Sequence, residues 1–163
     1  MKIILLWFLC SVNTCFASQE LYFRRLYYAS VYNKDSSEKF SEIMQTLDVK
    51  NNPILLCYKG MSYMIQAKHN INPISKLSSF NKGKEYLESA IKIDLANVET
   101  RFMRYSIQTN TPAMLGYNQQ INEDKALIIK AWNNIKDIDL KQKIKDFMLK
   151  STYCSVKEKS VFK

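Results

Sequence analysis

The sequence predicts an all-α fold: about seven helices, folded back on one another as antiparallel hairpins in one domain. Three observations predict it. Only three glycines and three prolines interrupt the chain. No segment alternates apolar and polar residues at the strand period. Apolar residues recur instead three and four apart, the spacing that gathers them on one face of a helix.

The elements follow in order. Residues 19–32 read as an aromatic-rich first helix with Leu21, Tyr28, Val31 and Tyr32 near one face, broken by Asn33-Lys34. Asp35 with Glu38 three residues later forms a capping box. It opens a second helix carrying Phe40, Ile43, Met44 and Leu47 inward. Asn51-Asn52-Pro53 is a start signal, because a proline at the first helical position lacks an amide that would be unpaired there anyway. The third helix runs from Pro53 to about His69, is apolar on most sides and is therefore central. Asn72-Pro73 restarts the chain into a fourth helix reaching Ile93, with Leu77, Phe80, Leu87, Ala90 and Ile91 inward.

Asn97 caps a fifth helix that turns Val98, Phe102 and Tyr105 inward and ends at Asn110-Thr111-Pro112. Leu115-Gly116-Tyr117 falls in a loop. Asn122-Glu123-Asp124 opens the sixth helix, with acids at its positive end. Its inward set is Leu127, Ile128, Ala131, Trp132 and Ile135. Asp139 with Gln142 opens the seventh, which carries Leu140, Ile144, Phe147 and Met148. Short loops between helices make antiparallel neighbours.

The N-terminus predicts export. Lys2 is followed by the apolar run Ile3–Cys10, then a more polar stretch ending Cys15-Phe16-Ala17. This is the pattern of a secretory signal peptide cut after Ala17. The run falls short of the roughly 20 apolar residues that cross a bilayer. The expected location is the periplasm, with lipid anchoring on Cys15 or full secretion as alternatives. The expected organisation is a signal peptide over 1–17, one helical domain over 18–151 and a short, charged, frayed tail over 152–163. No later segment reads as membrane-spanning.

Composition narrows the classes. The formal net charge of +9 would point to nucleic acid in a cytosolic protein, and export excludes that partner. The polyanions outside the cytoplasm are head groups, glycans and acidic proteins. The lysines are spread along the chain, which also suits plain solubility. Cleavage leaves two cysteines, Cys57 and Cys154. They either pair in an oxidising compartment or, for Cys57 in its apolar helix, serve as core.

Catalytic and cofactor motifs are not found. His69 is the one histidine, and no cysteine or carboxylate stands near it at metal-ligand spacing. No glycine-rich phosphate loop or nucleophile elbow occurs. No cofactor is expected, and the reading leans away from an enzyme.

Residues 56–95 resemble a tetratricopeptide repeat. Leu56, Gly60 and Tyr63 fall at its first-helix positions, and Gly83, Leu87 and Ala90 at its second. Asp94-Leu95-Ala96-Asn97 stands where the repeat turns into the next helix. Small residues at Gly60 and Gly83 would let two backbones approach, with Leu56, Tyr63 and Leu87 filling the space around them. Lys59 stands at an apolar position of the repeat, and Leu95 where proline is usual. The separation of the glycines implies an insertion around His69–Phe80. The resemblance implies a right-handed array of helical hairpins. A second resemblance spans Ala67-Lys68-His69, Asn72–Leu77, Arg101-Phe102, Ile107-Gln108 and Leu115-Gly116-Tyr117. These stretches look like a family of uncharacterised exported bacterial helical proteins, and imply an envelope protein without naming an activity.

One polar constellation stands out. Arg101, Arg104 and Gln108 form a stripe on the fifth helix, with Tyr117 just beyond. Lys68, His69, Asn72 and Lys76 cluster in the inserted segment. In a tetratricopeptide-like array the third and fifth helices would line one groove, where guanidinium forks suit a carboxylate or phosphate. These eight residues are the candidate binding set. The competing reading pairs Arg101 and Arg104 with acids such as Glu99 or Asp94, and has Lys68 and Asn72 tie down the insert. The expected function is a binding or scaffolding module for a protein or peptide partner in the cell envelope. The alternative is a small-ligand receptor or enzyme acting on an anionic envelope component.

Overall fold

The computed structural model describes residues 19–163. The expected signal peptide and its cut after Ala17 lie outside the described residues. Among the described residues the protein is all-helical, with eight α-helices, three 3-10 turns and no strand. Helix α1 covers 19–32. It is followed by α2 (Lys34–Thr46), α3 (Pro53–His69), α4 (Pro73–Ile93) and α5 (Val98–Asn110). Then come α6 (Ile121–Ala131), α7 (Ile138–Lys150) and α8 (Val156–Lys159).

Asparagine caps set the starts of α2, α3, α4 and α5. The side chains of Asn52, Asn72 and Asn97 accept from backbone amides in the first turns of α3, α4 and α5. Each satisfies a donor that has no partner inside the helix. Two starts differ from expectation. Asn33, not Asp35, caps α2, its Oδ1 accepting from the Ser36 amide at 2.8 Å. Asp137, not Asp139, caps α7 through the Leu140 amide at 2.9 Å. In both cases an oxygen-bearing side chain two residues earlier already meets the free amide. The acid behind it then sits in the first turn, where its charge suits the helix dipole.

Helix α3 is the centre of the molecule and is buried along most of its length. It packs on α4 through Gly60 and Gly83. A Cβ on either glycine would stand 2.8 Å from the carbonyl oxygen of the other. Gly60 faces Leu87 while Met64 faces Gly83, so the two helices run antiparallel. Along the outer seam Tyr63 and Tyr86 stack with centroids 5.6 Å apart. Lys59 lies over the Tyr86 ring and Lys82 over Tyr63. The charge at position 59 is thus met by an aromatic face.

Three apolar clusters follow. The largest joins Phe23 and Tyr27 of α1, Phe40 and Met44 of α2, Tyr58 and Met61 of α3, and Leu87 of α4. The second joins Phe102 and Tyr105 of α5 to Ile128, Trp132, Ile144 and Met148. The third, smaller one holds Met64, Ala67, Phe80 and Tyr117. Helix α5 carries Met103 into the first cluster and Phe102 into the second, so it splices the two halves.

Three further expectations are corrected, and the choice left open at the cysteines is settled. On α1 the buried face is Phe23, Tyr27 and Ser30, with Arg24 beside it, and Tyr32 is exposed. On α4 the inward face begins only at Phe80. Leu77 is exposed, because residues 71–78 project beyond the packed body. The C-terminal residues are not frayed. Ser155 and Glu158 form a capping box, and Phe162 is fully buried edge-on against Trp132 at 4.9 Å. Cys57 and Cys154 are both free thiols, buried in different clusters.

Candidate functional site

Arg101 and Arg104, the centre of the expected groove, are buried and spent on carboxylates. They project from one face of α5 toward α6, where Asp124 is fully buried. Arg104 grips Asp124 with two parallel bonds, Nε to Oδ2 at 2.7 Å and Nη2 to Oδ1 at 2.8 Å. Arg101 Nη1 reaches the same Oδ1 at 2.8 Å, its Nη2 lies 2.7 Å from Glu123, and its Nε donates to the Leu95 carbonyl. The third edge of Arg104 meets Glu88 at 2.8 Å. The other oxygen of Glu88 accepts from the Tyr117 hydroxyl at 2.6 Å. Burial and this acceptor raise the Tyr117 phenol far above its ordinary range. Gln108 completes the stripe by exchanging bonds with Gln120, side chain to side chain and side chain to amide.

Arg101, Arg104, Gln108 and Tyr117 are therefore brought together, as the clamp that holds α6 and the 111–120 connection onto α4 and α5. Their acids are Asp124, Glu123 and Glu88, rather than Glu99 or Asp94. Two cations face three carboxylates, so an incoming anion would have to displace internal partners already in good geometry.

Lys68, His69, Asn72 and Lys76 lie elsewhere. Lys68 Nζ donates to the Val31 carbonyl at 2.6 Å, and His69 Nε2 lies 3.2 Å from the Ser30 carbonyl. These two bonds hold the end of α3 to the end of α1. Asn72 caps α4, and Lys76 is exposed. The sequence placed the two groups in one groove, and the structure gives them separate partners on separate helices.

A second buried ion cluster was not read from the sequence. Arg24 of α1 is fully buried. It makes paired bonds to Glu99 at 2.8 and 2.9 Å and to Asp137 at 2.9 and 3.1 Å, with a fifth to Asp139 at 3.1 Å. Tyr58 also donates to Glu99. Burial alone would raise the Asp137 carboxyl. Arg24 and the Leu140 amide outweigh it and hold the group below the usual carboxylate range. Glu20 stands nearby, raised by burial and by the Glu99 charge. A cleft of about 280 Å³ opens beside this cluster. Its acids Glu99 and Asp137 are already committed to Arg24. Arg24 and Glu99 are 75 residues apart, and no local pattern marks such a pair.

The larger cleft lies between α2 and α3, about 430 Å³, lined by Ser37, Ser41 and Gln45 on one side and Gln66, His69 and Asn70 on the other. Lys34, Glu38 and Glu42 form its rim. Ser41 accepts from Gln45 at 3.2 Å and also contacts the Gln66 amide. Among the described residues no fully buried side-chain nitrogen or oxygen lacks a partner. Spare hydrogen-bonding capacity therefore lies on open surfaces such as this one. Of its residues only His69 was in the candidate set. The others had a signal: Ser37, Ser41 and Gln45 recur four apart beside the apolar face of α2, and Gln66 interrupts an apolar helix three before His69. Among the described residues no group of three histidines, cysteines or carboxylates is placed to hold a metal ion.

No family model, curated protein or solved structure matches the chain.

Proposed function

We propose that this protein is an exported helical-hairpin module that binds a protein or peptide partner, with an extended segment of the partner lying in the α2–α3 cleft. The observation that carries the reading is the chemistry of that cleft. Its walls offer amide donors and acceptors, hydroxyls and an imidazole, spaced along two helices. An extended peptide presents alternating N–H and C=O groups that match such a lining. The rim holds one lysine against two glutamates, and Lys34 already meets Glu38 at 3.7 Å. That balance disfavours an anionic small ligand, and the arginines that would have bound one are occupied inside the fold.

On this reading the α3–α4 pair is a tetratricopeptide-like hairpin, and α5–α6 follows it in the same array. The close approach at Gly60 and Gly83 supports the first part. The apolar run after Lys2 supports export to the periplasm.

The test is site-specific photo-cross-linking in cells. A photoreactive residue replaces Gln45 in the cleft or Lys130 on the outer face of α6. The expected result is one adduct from position 45, none from position 130, and loss of the adduct when Ser37→Phe fills the cleft. Adducts of equal yield from both positions, or none from either, would overturn the reading.

A further inference from the structure

We propose that one end of the molecule docks on an anionic lipid bilayer. The proposal is independent of the peptide-binding cleft. The chain reversal between α3 and α4 carries Ile71, 96% exposed, Ile74, 82% exposed, and Leu77, half exposed. Ile74 and Leu77 are three apart, so they share one face of the projecting first turns of α4. Two other chain reversals reach the same end. Lys68 and His69 bind the last carbonyls of α1, which brings Tyr32, 87% exposed, beside them. Tyr117 packs edge-on against Phe80 at 6.0 Å, which places the preceding turn, with Met114 90% exposed and Leu115 partly exposed, at that end too. Six large apolar side chains from three separate chain reversals are thus presented together.

The charge around them is positive. From Ala67 to Lys84 the chain contains no carboxylate and four lysines: Lys68, Lys76, Lys82 and Lys84. Lys68 and Lys76 flank the apolar tip. Lys68 also stands 5.7 Å from the centre of the Tyr32 ring. The acids at this end, Asp35 and Glu38, lie on α2, where Glu38 meets Lys34.

This pairing of features selects the partner. The cores of protein–protein interfaces are depleted in lysine and cover their aliphatic residues in complementary pockets. A bilayer surface takes the opposite arrangement. Aliphatic tips and a tyrosine enter the boundary between head groups and chains, and lysines extend to the phosphates. Anionic lipid adds attraction for each lysine near the surface.

The experiment is co-sedimentation with vesicles of the chain beginning at Ser18. That chain holds every residue of the three apolar clusters and lacks the N-terminal apolar run. Vesicles of phosphatidylglycerol mixed equally with phosphatidylcholine are compared with phosphatidylcholine alone. The chain is expected to sediment with the anionic vesicles and to be released by salt. Ile71→Ser with Ile74→Ser is expected to weaken binding at least about tenfold, and Lys76→Gln about fivefold. Ile138→Ser, at the exposed start of α7 beside the acidic cleft at the opposite end, is expected to bind as the parent does. Circular dichroism confirms that each variant folds. Absence of binding at low salt, or binding untouched by the double isoleucine change, overturns the proposal. So does self-association that buries the patch without vesicles, which would make a second copy the occupant.

Discussion

The carbonyl oxygen of Gly83 lies 2.8 Å from the point where a Cβ on Gly60 would stand, and the carbonyl of Gly60 lies equally close to a Cβ on Gly83. Neither opposing atom is the flexible end of a side chain. Alanine at either position must push the two backbones apart. The usual gain in helix propensity, about 1 kcal/mol for glycine to alanine, is outweighed by overpacking of about 1–3 kcal/mol. Gly60→Ala and Gly83→Ala are therefore expected to lower the urea midpoint with an unchanged slope. Variants as stable as the parent would show that the seam is looser than described.

Asp124 is the keystone of the α5–α6 clamp, since two buried arginines converge on it. Arg104→Ala leaves it underpaired, at a cost of about 3–5 kcal/mol. The Arg101→Ala/Arg104→Ala double variant is expected to be strongly destabilised in thermal melts. A double variant with parental stability and lost partner binding would return these arginines to the binding site.

The C-terminal turn is expected to titrate. Glu158 accepts from the Ser155 amide and hydroxyl and pairs with Lys125, and these partners lower its carboxyl to about 2. A depressed carboxyl contributes its stability above the unfolded value and loses it as pH falls through the folded value. The loss therefore runs from about pH 4.5 down to about 2. Phe162 packs on Trp132, the one tryptophan after Ser18, so indole emission reports the release. Glu158→Gln is expected to remove the transition in that window.

Phe162 itself tests whether the last residues belong to the domain. It is fully buried, and Phe162→Ala is expected to cost about 3–5 kcal/mol. A truncation after Ser151 should lose at least as much in denaturant melts. Indifference to both changes would restore the frayed tail that the charged sequence predicts.

Cys57 is fully buried and its thiol is raised by that burial. A thiol held protonated and covered does not react. Labelling of Cys57 is expected only as fast as the protein unfolds, so its rate should follow urea concentration along the unfolding limb. Rapid labelling of Cys57 in the native state would contradict the packing around α3.

The helical class and most of the element boundaries were legible because they are local. Asn52-Pro53, Asn72-Pro73 and Asn97 announce their helices within four residues of chain. Phe40, Met44, Leu87, Phe102 and Ile144 announce their burial by spacing alone. What was not legible is pairwise and distant. Arg24 sits among tyrosines on α1 and reads as surface until Glu99 and Asp137 are brought to it. Arg101 and Arg104 read as a ligand stripe for the same reason, since Asp124 lies a helix away. Leu77 has the right spacing for the core, but the packed body ends before reaching it. Phe162 was hidden by the lysines around it.

The Arg24 cluster has a consequence for how the chain is made. Arg24 receives Glu99 from 75 residues later and Asp137 from 113 residues later. A ribosome delivers α1 first, with its guanidinium still hydrated and its aromatic face uncovered. No local contact can complete α1 until the last third of the polypeptide has emerged. The molecule is thus fastened by its beginning to its end, and a nascent chain stalled before Asp137 would hold every α-helix through α6 with Arg24 paired to Glu99 alone, its bonds to Asp137 and Asp139 unmade.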